Sequence, residues 1–297
     1  MIRRDWEQLP SAVQRAIERE CGPVVAAETL SGGINSPFAA VLWTDRKLFC
    51  KGIAADHPHA RMYHDEIKVN RYLPRSIAPS FVCAILEGGW IMLVFEHVDG
   101  THPGFSAGST DLVRIAAKIS TMGLELADIP STVGNPLGPN MEKFHVWRRF
   151  SEGSISSDGL DKWVLVNLAL LVEWEARAPH GVGGDALLHA DLNAGNILFS
   201  EEDVYFLDWA CASRGAPWVD VAYTVPRLIA SGHSPQCAEE WARRIPAWGA
   251  APDSAVTAFA VAMAGIGEYR SRQGVVTARA LVASSREWVR YRLGLTT

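Results

Sequence analysis

The stretch 187–209 constrains this chain more than any other. It reads Leu-Leu-His-Ala-Asp-Leu-Asn-Ala-Gly-Asn-Ile-Leu-Phe-Ser-Glu-Glu-Asp-Val-Tyr-Phe-Leu-Asp-Trp. Two short apolar runs, 197–199 and 204–207, flank a turn of Ser200, Glu201, Glu202 and Asp203, the pattern of a small β-hairpin. His189, Asp191, Asn193 and Asn196 precede it and Asp208 follows. A hairpin with carboxylates and an amide at its outer ends holds hard-cation ligands rigidly. Magnesium takes oxygen ligands and usually only one or two carboxylates beside substrate phosphates.

The N-terminal part carries strand patterns. Ser11 with Gln14 predicts a capping box for a helix over 11–21, stopped by Gly22-Pro23. Strands follow at 24–30, 38–43 and 47–53, the last two joined at Thr44-Asp45-Arg46. Between the first two lies Ser31-Gly32-Gly33-Ile34-Asn35-Ser36. A glycine-bearing turn between antiparallel strands can lay backbone N–H groups over an anion, or it can be an ordinary hairpin turn. Period-2 alternation puts Phe49, Lys51 and Ile53 on one face of the third strand and Leu48, Cys50 and Gly52 on the other. A lysine among apolar neighbours needs a partner. Glu66, on a helix expected over 60–73, is its natural mate. Strands at 81–86 and 90–95 come next. The polar, Gly/Pro-rich run 96–104 then marks a lobe boundary, giving lobes 1–97 and 98–297.

Beyond it the pattern is mostly helical: 109–127, 142–150, 160–177, 217–231, 235–244, 253–272 and 277–293. A Pro/Gly/Asn-rich loop is expected over 129–140, a mobile Ser/Gly segment over 151–159 and a Gly-rich approach at 179–185. At 297 residues, about half of them apolar, the chain can bury a full core. A net charge of −5 gives no basic excess that would point to nucleic acid. The five cysteines at 21, 50, 83, 211 and 237 lack Cys-x-x-Cys spacing and read as reduced thiols of a cytoplasmic protein. The N-terminus has no apolar signal region, and the apolar run 254–267 is too short to span a bilayer.

His189-x-Asp191-x-x-x-x-Asn196, then an apolar hairpin and Asp208, is the spacing of a kinase catalytic loop and metal-binding aspartate. With Lys51, Glu66 and Asp208-Trp-Ala it resembles the aminoglycoside phosphotransferase family across almost the whole chain. The segment 208–221 and the Arg/Trp-rich helix ending Trp288-Val-Arg-Tyr-Arg-Leu-Gly are especially similar to actinobacterial members. The resemblance implies an α+β, bilobal, protein-kinase-like fold: an antiparallel-sheet N-lobe with one main helix, and a largely helical C-lobe. It implies a cytoplasmic, ATP- and Mg²⁺-dependent small-molecule kinase acting on an alcohol group, with antibiotic resistance as its role.

By the same resemblance Asp191 orients the acceptor hydroxyl and takes its proton, and Asn196 and Asp208 hold Mg²⁺. Lys51, held by Glu66, binds the α/β-phosphates. Gly32, Gly33, Asn35 and Ser36 cover the β/γ-phosphates, backbone groups of Glu96 and Val98 meet the adenine edge, and Asp220 braces the catalytic loop. Asp208-Trp-Ala departs from the Asp-Phe-Gly of protein kinases, and the turn has only two adjacent glycines.

Eleven residues separate Asp208 from Asp220 and no Ala-Pro-Glu follows. That leaves no room for a phosphorylated activation segment and favours a small-molecule acceptor. An aminoglycoside, as a polycation, needs an acidic site. Asp158, Asp161, Glu173, Glu175 and Glu268 are the candidates, though each taken alone reads first as part of a solvated helix face. Macrolides, peptide antibiotics, choline, sugars and homoserine are other acceptors in the superfamily. A nucleotide-binding pseudokinase is a further alternative, opposed by the intact Lys51, Asp191, Asn196 and Asp208. There is no Gly-x-Ser-x-Gly for a hydrolase, and His57-Pro-His59 has no companions for zinc.

Overall fold

The structure, a computed structural model, describes residues 3–31, 36–201 and 203–295. Gly32, Gly33 and Asn35, expected to cover phosphate, lie outside the described residues. The chain runs α1 (Ser11–Cys21), β1 (Ala26–Thr29), β2 (Phe38–Trp43), β3 (Lys47–Ala54), α2 (Ala60–Asn70), β4 (Phe81–Glu87), β5 (Trp90–Glu96) and α3 (Asp111–Glu125). It continues through β6 (Asn135–Pro136), α4 (Leu137–Glu142), α5 (Val146–Ser151), α6 (Lys162–Glu175), α7 (Ala178–Gly181), β7 (Ala186–Leu188), β8 (Ile197–Phe199), β9 (Val204–Phe206) and β10 (Ser213–Gly215). Five helices close it: α8 (Trp218–Ala230), α9 (Pro235–Ala242), α10 (Pro246–Gly249), α11 (Asp253–Arg272) and α12 (Val276–Arg292). It divides into two compact units, residues 1–103 with 195–212, and 104–194 with 213–297.

The first unit is built on an antiparallel sheet of order β1-β2-β3-β5-β4. Alternation in β3 sorts its side chains as the sequence predicts. Leu48 and Cys50 join Val13 and Ile17 of α1 and Phe38, Ala40 and Leu42 of β2 on one face. Ile53, with Phe49 packed alongside, joins Tyr63 and Ile67 of α2 and Ile91, Leu93 and Phe95 of β5 on the other. Each fully buried Val, Ile or Phe contributes about 1.5–3 kcal/mol, so both helices are fastened to the sheet by their apolar faces. The β8–β9 hairpin belongs to this unit, with Ile197 opposite Phe206 and Phe199 opposite Val204. It is tied in by Phe206 N donating to Ile77 O at 2.8 Å and by reciprocal 2.9 Å backbone bonds between Thr101 and Phe199. Gly100 is required beside that bridge, because a Cβ there would collide with the Phe199 carbonyl oxygen.

Three local expectations fail. Helix α1 is not capped by Ser11: its N-cap is Pro10, and Gln14 Nε2 donates to Trp6 O at 2.8 Å instead. The single helix expected over 142–150 is two helices, α4 and α5, with His145 between them at φ 34°. Helix α4 starts inside the expected 129–140 loop. The N-terminus of α5 is satisfied from afar, with Trp147 N and Arg148 N each donating at 3.1 Å to the Glu175 carboxylate. A capping partner 28 residues away leaves no local signal.

The second unit is helical apart from the small sheet β6-β10-β7. Helix α11 runs through its core, with Ala258, Phe259, Ala260 and Val261 almost fully buried. Trp147 Nε1 donates to the Val261 carbonyl at 2.7 Å. Arg214 fastens the Pro-rich loop before α4, donating at 2.6–2.9 Å to the carbonyls of Ile129, Pro130, Val133 and Asp185. Among the described residues no helix is long and apolar enough to cross a membrane.

Candidate active site

In the first unit, Lys51 is brought from the middle of β3 to two carboxylates. Its Nζ lies 2.8 Å from Glu66 Oε2 and 2.8 Å from Asp208 Oδ1. Lys51 and Glu66 are 6% and 1% exposed, whereas the Asp208 side chain is 46% exposed. The three therefore form a cation held between one buried and one accessible anion. Burial alone would lower the Lys51 pKa, but Asp208 and Glu66 hold it above its ordinary value, so the amine stays charged. Burial pushes the Glu66 carboxyl up to about 7, with Lys51 pulling the other way and the Trp209 backbone N–H assisting.

Asn196 and Asp208 sit at the two open ends of the hairpin, where Leu207 N donates to Asn196 O at 2.8 Å. Asp208 has φ 60°, a left-handed conformation unusual for a non-glycine residue. The pair offers one amide oxygen and one carboxylate, a hard-oxygen set too small to cage a cation alone and suited to one that keeps phosphate ligands.

Ser36 receives a hydrogen bond from Tyr63 Oη at 2.8 Å, and Lys51 Nζ lies 5.6 Å from the Tyr63 ring centroid. Tyr63 escaped the sequence reading, although it lies three residues before Glu66 on the same face of α2. Glu96 donates its N–H to Ser80 O at 2.9 Å, and its side chain pairs with Arg46 at 3.4 Å. The backbone of Val98 is not used in any hydrogen bond among the described residues.

In the second unit the loop 189–194 hangs on α8. Asp220 is fully buried, and its two oxygens accept from His189 N at 2.8 Å and Ala190 N at 2.7 Å. Burial raises the Asp220 pKa, opposed by His189 and by these backbone donors. Ala190 has φ 61°, so the chain turns sharply into Asp191. Asp191 N donates to His189 Nδ1 at 3.2 Å, and Asn193 Nδ2 donates to Asp191 O at 3.0 Å. The Asp191 side chain is 39% exposed and receives Arg227 Nη2 at 2.6 Å. Arg227 was also missed: it follows Asp220 by seven residues, two helical turns along one face.

The acidic candidates for the acceptor are differently placed. Asp161 caps α6, accepting from Trp163 N at 2.9 Å, and pairs with Arg286 at 2.8 Å and Arg290 at 3.4 Å. Glu268 is 8% exposed and pairs with Arg272 at 3.3 Å and Arg286 at 3.7 Å. Glu175 is the α5 cap described above, and burial raises its pKa. Asp158 and Glu173 are exposed.

The model of the phosphotransferase enzyme family (APH) matches residues 26–254, a span that includes every residue of both constellations. The chain belongs to this family. The phosphotransferase has the α+β, protein-kinase-like fold of its solved neighbours. It is similar to a thermostable mutant of aminoglycoside phosphotransferase APH(4)-Ia in its apo form, at 16% identity and TM-score 0.64 over 96% of this chain and 100% of that one. It is similar to spectinomycin phosphotransferase APH(9)-Ia, solved with ADP and spectinomycin, at 13% identity and TM-score 0.58 over 96% and 93%. It is also similar to choline kinase LicA from Streptococcus pneumoniae, at 16% identity and TM-score 0.63 over 95% and 98%. At these identities the likeness speaks to fold. No curated protein matches the phosphotransferase.

Proposed function

We propose that this phosphotransferase moves the γ-phosphoryl group of ATP to a hydroxyl of an aminoglycoside-like antibiotic, and so acts as a cytoplasmic resistance kinase. The observation that carries the ATP-dependent part is Lys51 held at 2.8 Å by both Glu66 and Asp208. A permanently charged amine beside an accessible carboxylate is a phosphate clamp next to a metal ligand. Solved neighbours support nucleotide use: one holds ADP.

In this reading Lys51 binds the α/β-phosphates, and the Ser36 hydroxyl, fixed by Tyr63, caps the β/γ-phosphates together with Gly32, Gly33 and Asn35. The Glu96 and Val98 backbone meets adenine. Asn196 and Asp208 hold Mg²⁺, which supplies charge neutralisation on the phosphates when bound. Asp191 accepts the proton of the acceptor hydroxyl as its oxygen bonds to the γ-phosphorus. The bond from that phosphorus to the β–γ bridging oxygen breaks, and its electron pair leaves with ADP. The transition state is loose, so positioning and charge neutralisation carry the rate. Phosphate and metal donors belong to residues 1–103 and 195–212, and Asp191 to the other unit.

A second reading, another small hydroxyl compound as acceptor, is favoured by one observation. Asp161 and Glu268 share Arg272, Arg286 and Arg290, so this cluster carries no excess negative charge for a polycation. Asp158, exposed in the preceding loop, remains available to one. The two readings separate in a resistance spectrum in a sensitive host. Protection against an aminoglycoside supports the first. No protection against any of them, with ADP still released on another hydroxyl compound, selects the second.

A further inference from the structure

We propose that Arg227 is a positioning residue for phosphoryl transfer, fixing the Asp191 carboxylate so that one oxygen faces the acceptor hydroxyl. The inference rests on the reading of Asp191 as the proton acceptor. Helix α8 sends two residues of one face to the same loop. Asp220 fixes its backbone at His189 and Ala190. Arg227, two turns on, fixes its side chain, with Nη2 donating to Asp191 Oδ1 at 2.6 Å.

The guanidinium is itself held, since Nη1 donates to the carbonyl of Tyr223 one turn back at 2.5 Å. The Arg227 side chain is 17% exposed against 39% for Asp191, so the arginine end of the pair is shielded and the carboxylate open. A planar, permanently charged fork gives a fixed direction that an ammonium does not. Holding Oδ1 on that fork sets the carboxylate plane, and with it the direction of Oδ2. A general base must be within hydrogen-bond reach of the proton it takes, and misplacement by about 1 Å costs on the order of 100-fold.

The test is release of inorganic phosphate from Mg²⁺·ATP with no added acceptor, water serving as the hydroxyl, in Arg227→Ala, Arg227→Met, Arg227→Lys and Asp191→Ala. Arg227→Met keeps the aliphatic stem packed should Arg227→Ala fold poorly. Expected are a kcat lowered about 10- to 100-fold in Arg227→Ala and Arg227→Met, and a KM for ATP changed by less than about twofold. Arg227→Lys should be intermediate. Added guanidinium ion should restore Arg227→Ala but not Asp191→Ala. Full kcat in the Arg227 variants beside a silent Asp191→Ala overturns the positioning role and leaves the base assignment standing. A loss in Arg227→Ala that appears mainly as raised KM, with no guanidinium rescue, overturns it as well. Full activity in Asp191→Ala overturns both.

Discussion

Lys51 Nζ lies 2.8 Å from Asp208 Oδ1, although 157 residues separate the two along the chain. The contact joins the centre of the five-stranded sheet to the end of the hairpin, and Glu66 completes it from α2. One lysine thus couples the β-sheet, its helix and the β8–β9 hairpin.

That coupling bears on the stability of the first unit, because Lys51 and Glu66 are both buried. Removing the cation alone leaves Glu66 buried and uncompensated, whereas removing the pair together does not. Lys51→Met is expected to lose about 3–5 kcal/mol, and Lys51→Met combined with Glu66→Leu to recover most of it. Denaturant unfolding of both variants checks this. Equal losses would show that the pair is not the buried unit described. Both variants should show a raised KM for ATP, since each removes the cation proposed to bind the α/β-phosphates.

With Lys51 gripping phosphate as proposed, Glu66 should make pH act with opposite signs on folding and on nucleotide grip. Its carboxyl is raised by burial to about 7 from 4.5. A raised pKa means the protonated form favours folding. That contribution is fully present below about pH 4.5 and is lost as pH rises through about 7. At about 1.4 kcal/mol per unit the loss is up to about 3 kcal/mol. Nucleotide grip runs the other way, because a neutral Glu66 leaves Lys51 with one carboxylate instead of two. The KM for ATP should rise as pH falls through 7, and Glu66→Gln should flatten both profiles. A KM profile unchanged by Glu66→Gln would contradict the assignment.

Ala190 carries the turn into Asp191. Its φ of 61° is tolerable for alanine and strained for a β-branched side chain. Ala190→Val is expected to cost about 2 kcal/mol or more and to lower kcat by displacing Asp191. Ala190→Gly should stay within about 1 kcal/mol of the parent. Thermal unfolding and steady-state rates on the same preparations check the pair.

Much of this was legible because the chemistry lies in local spacing. The β3 alternation around Lys51 follows from a period of 2, the 197–199 and 204–206 strands from short apolar runs around a polar turn, and the 253–272 helix from a long uncharged apolar run. What escaped depends on contacts across the chain. Glu175 caps α5 from 28 residues away, so the sequence shows one helix where there are two. The pairing of Asp161 and Glu268 with Arg286 joins side chains 125 and 18 positions apart, and nothing in their neighbours announces it. Arg227 and Tyr63 had a usable signal, since each shares a helix face with a residue already singled out.

The central claim is tested most directly by ADP formation from Mg²⁺·ATP across a panel of aminoglycosides, other hydroxyl-bearing antibiotics and hydroxyl metabolites, with wild type beside Asp191→Ala. The account predicts ADP formation that depends on an added acceptor and falls by about 100- to 10,000-fold in Asp191→Ala. An Asp191→Ala variant that turns over its acceptor at the wild-type rate would contradict it.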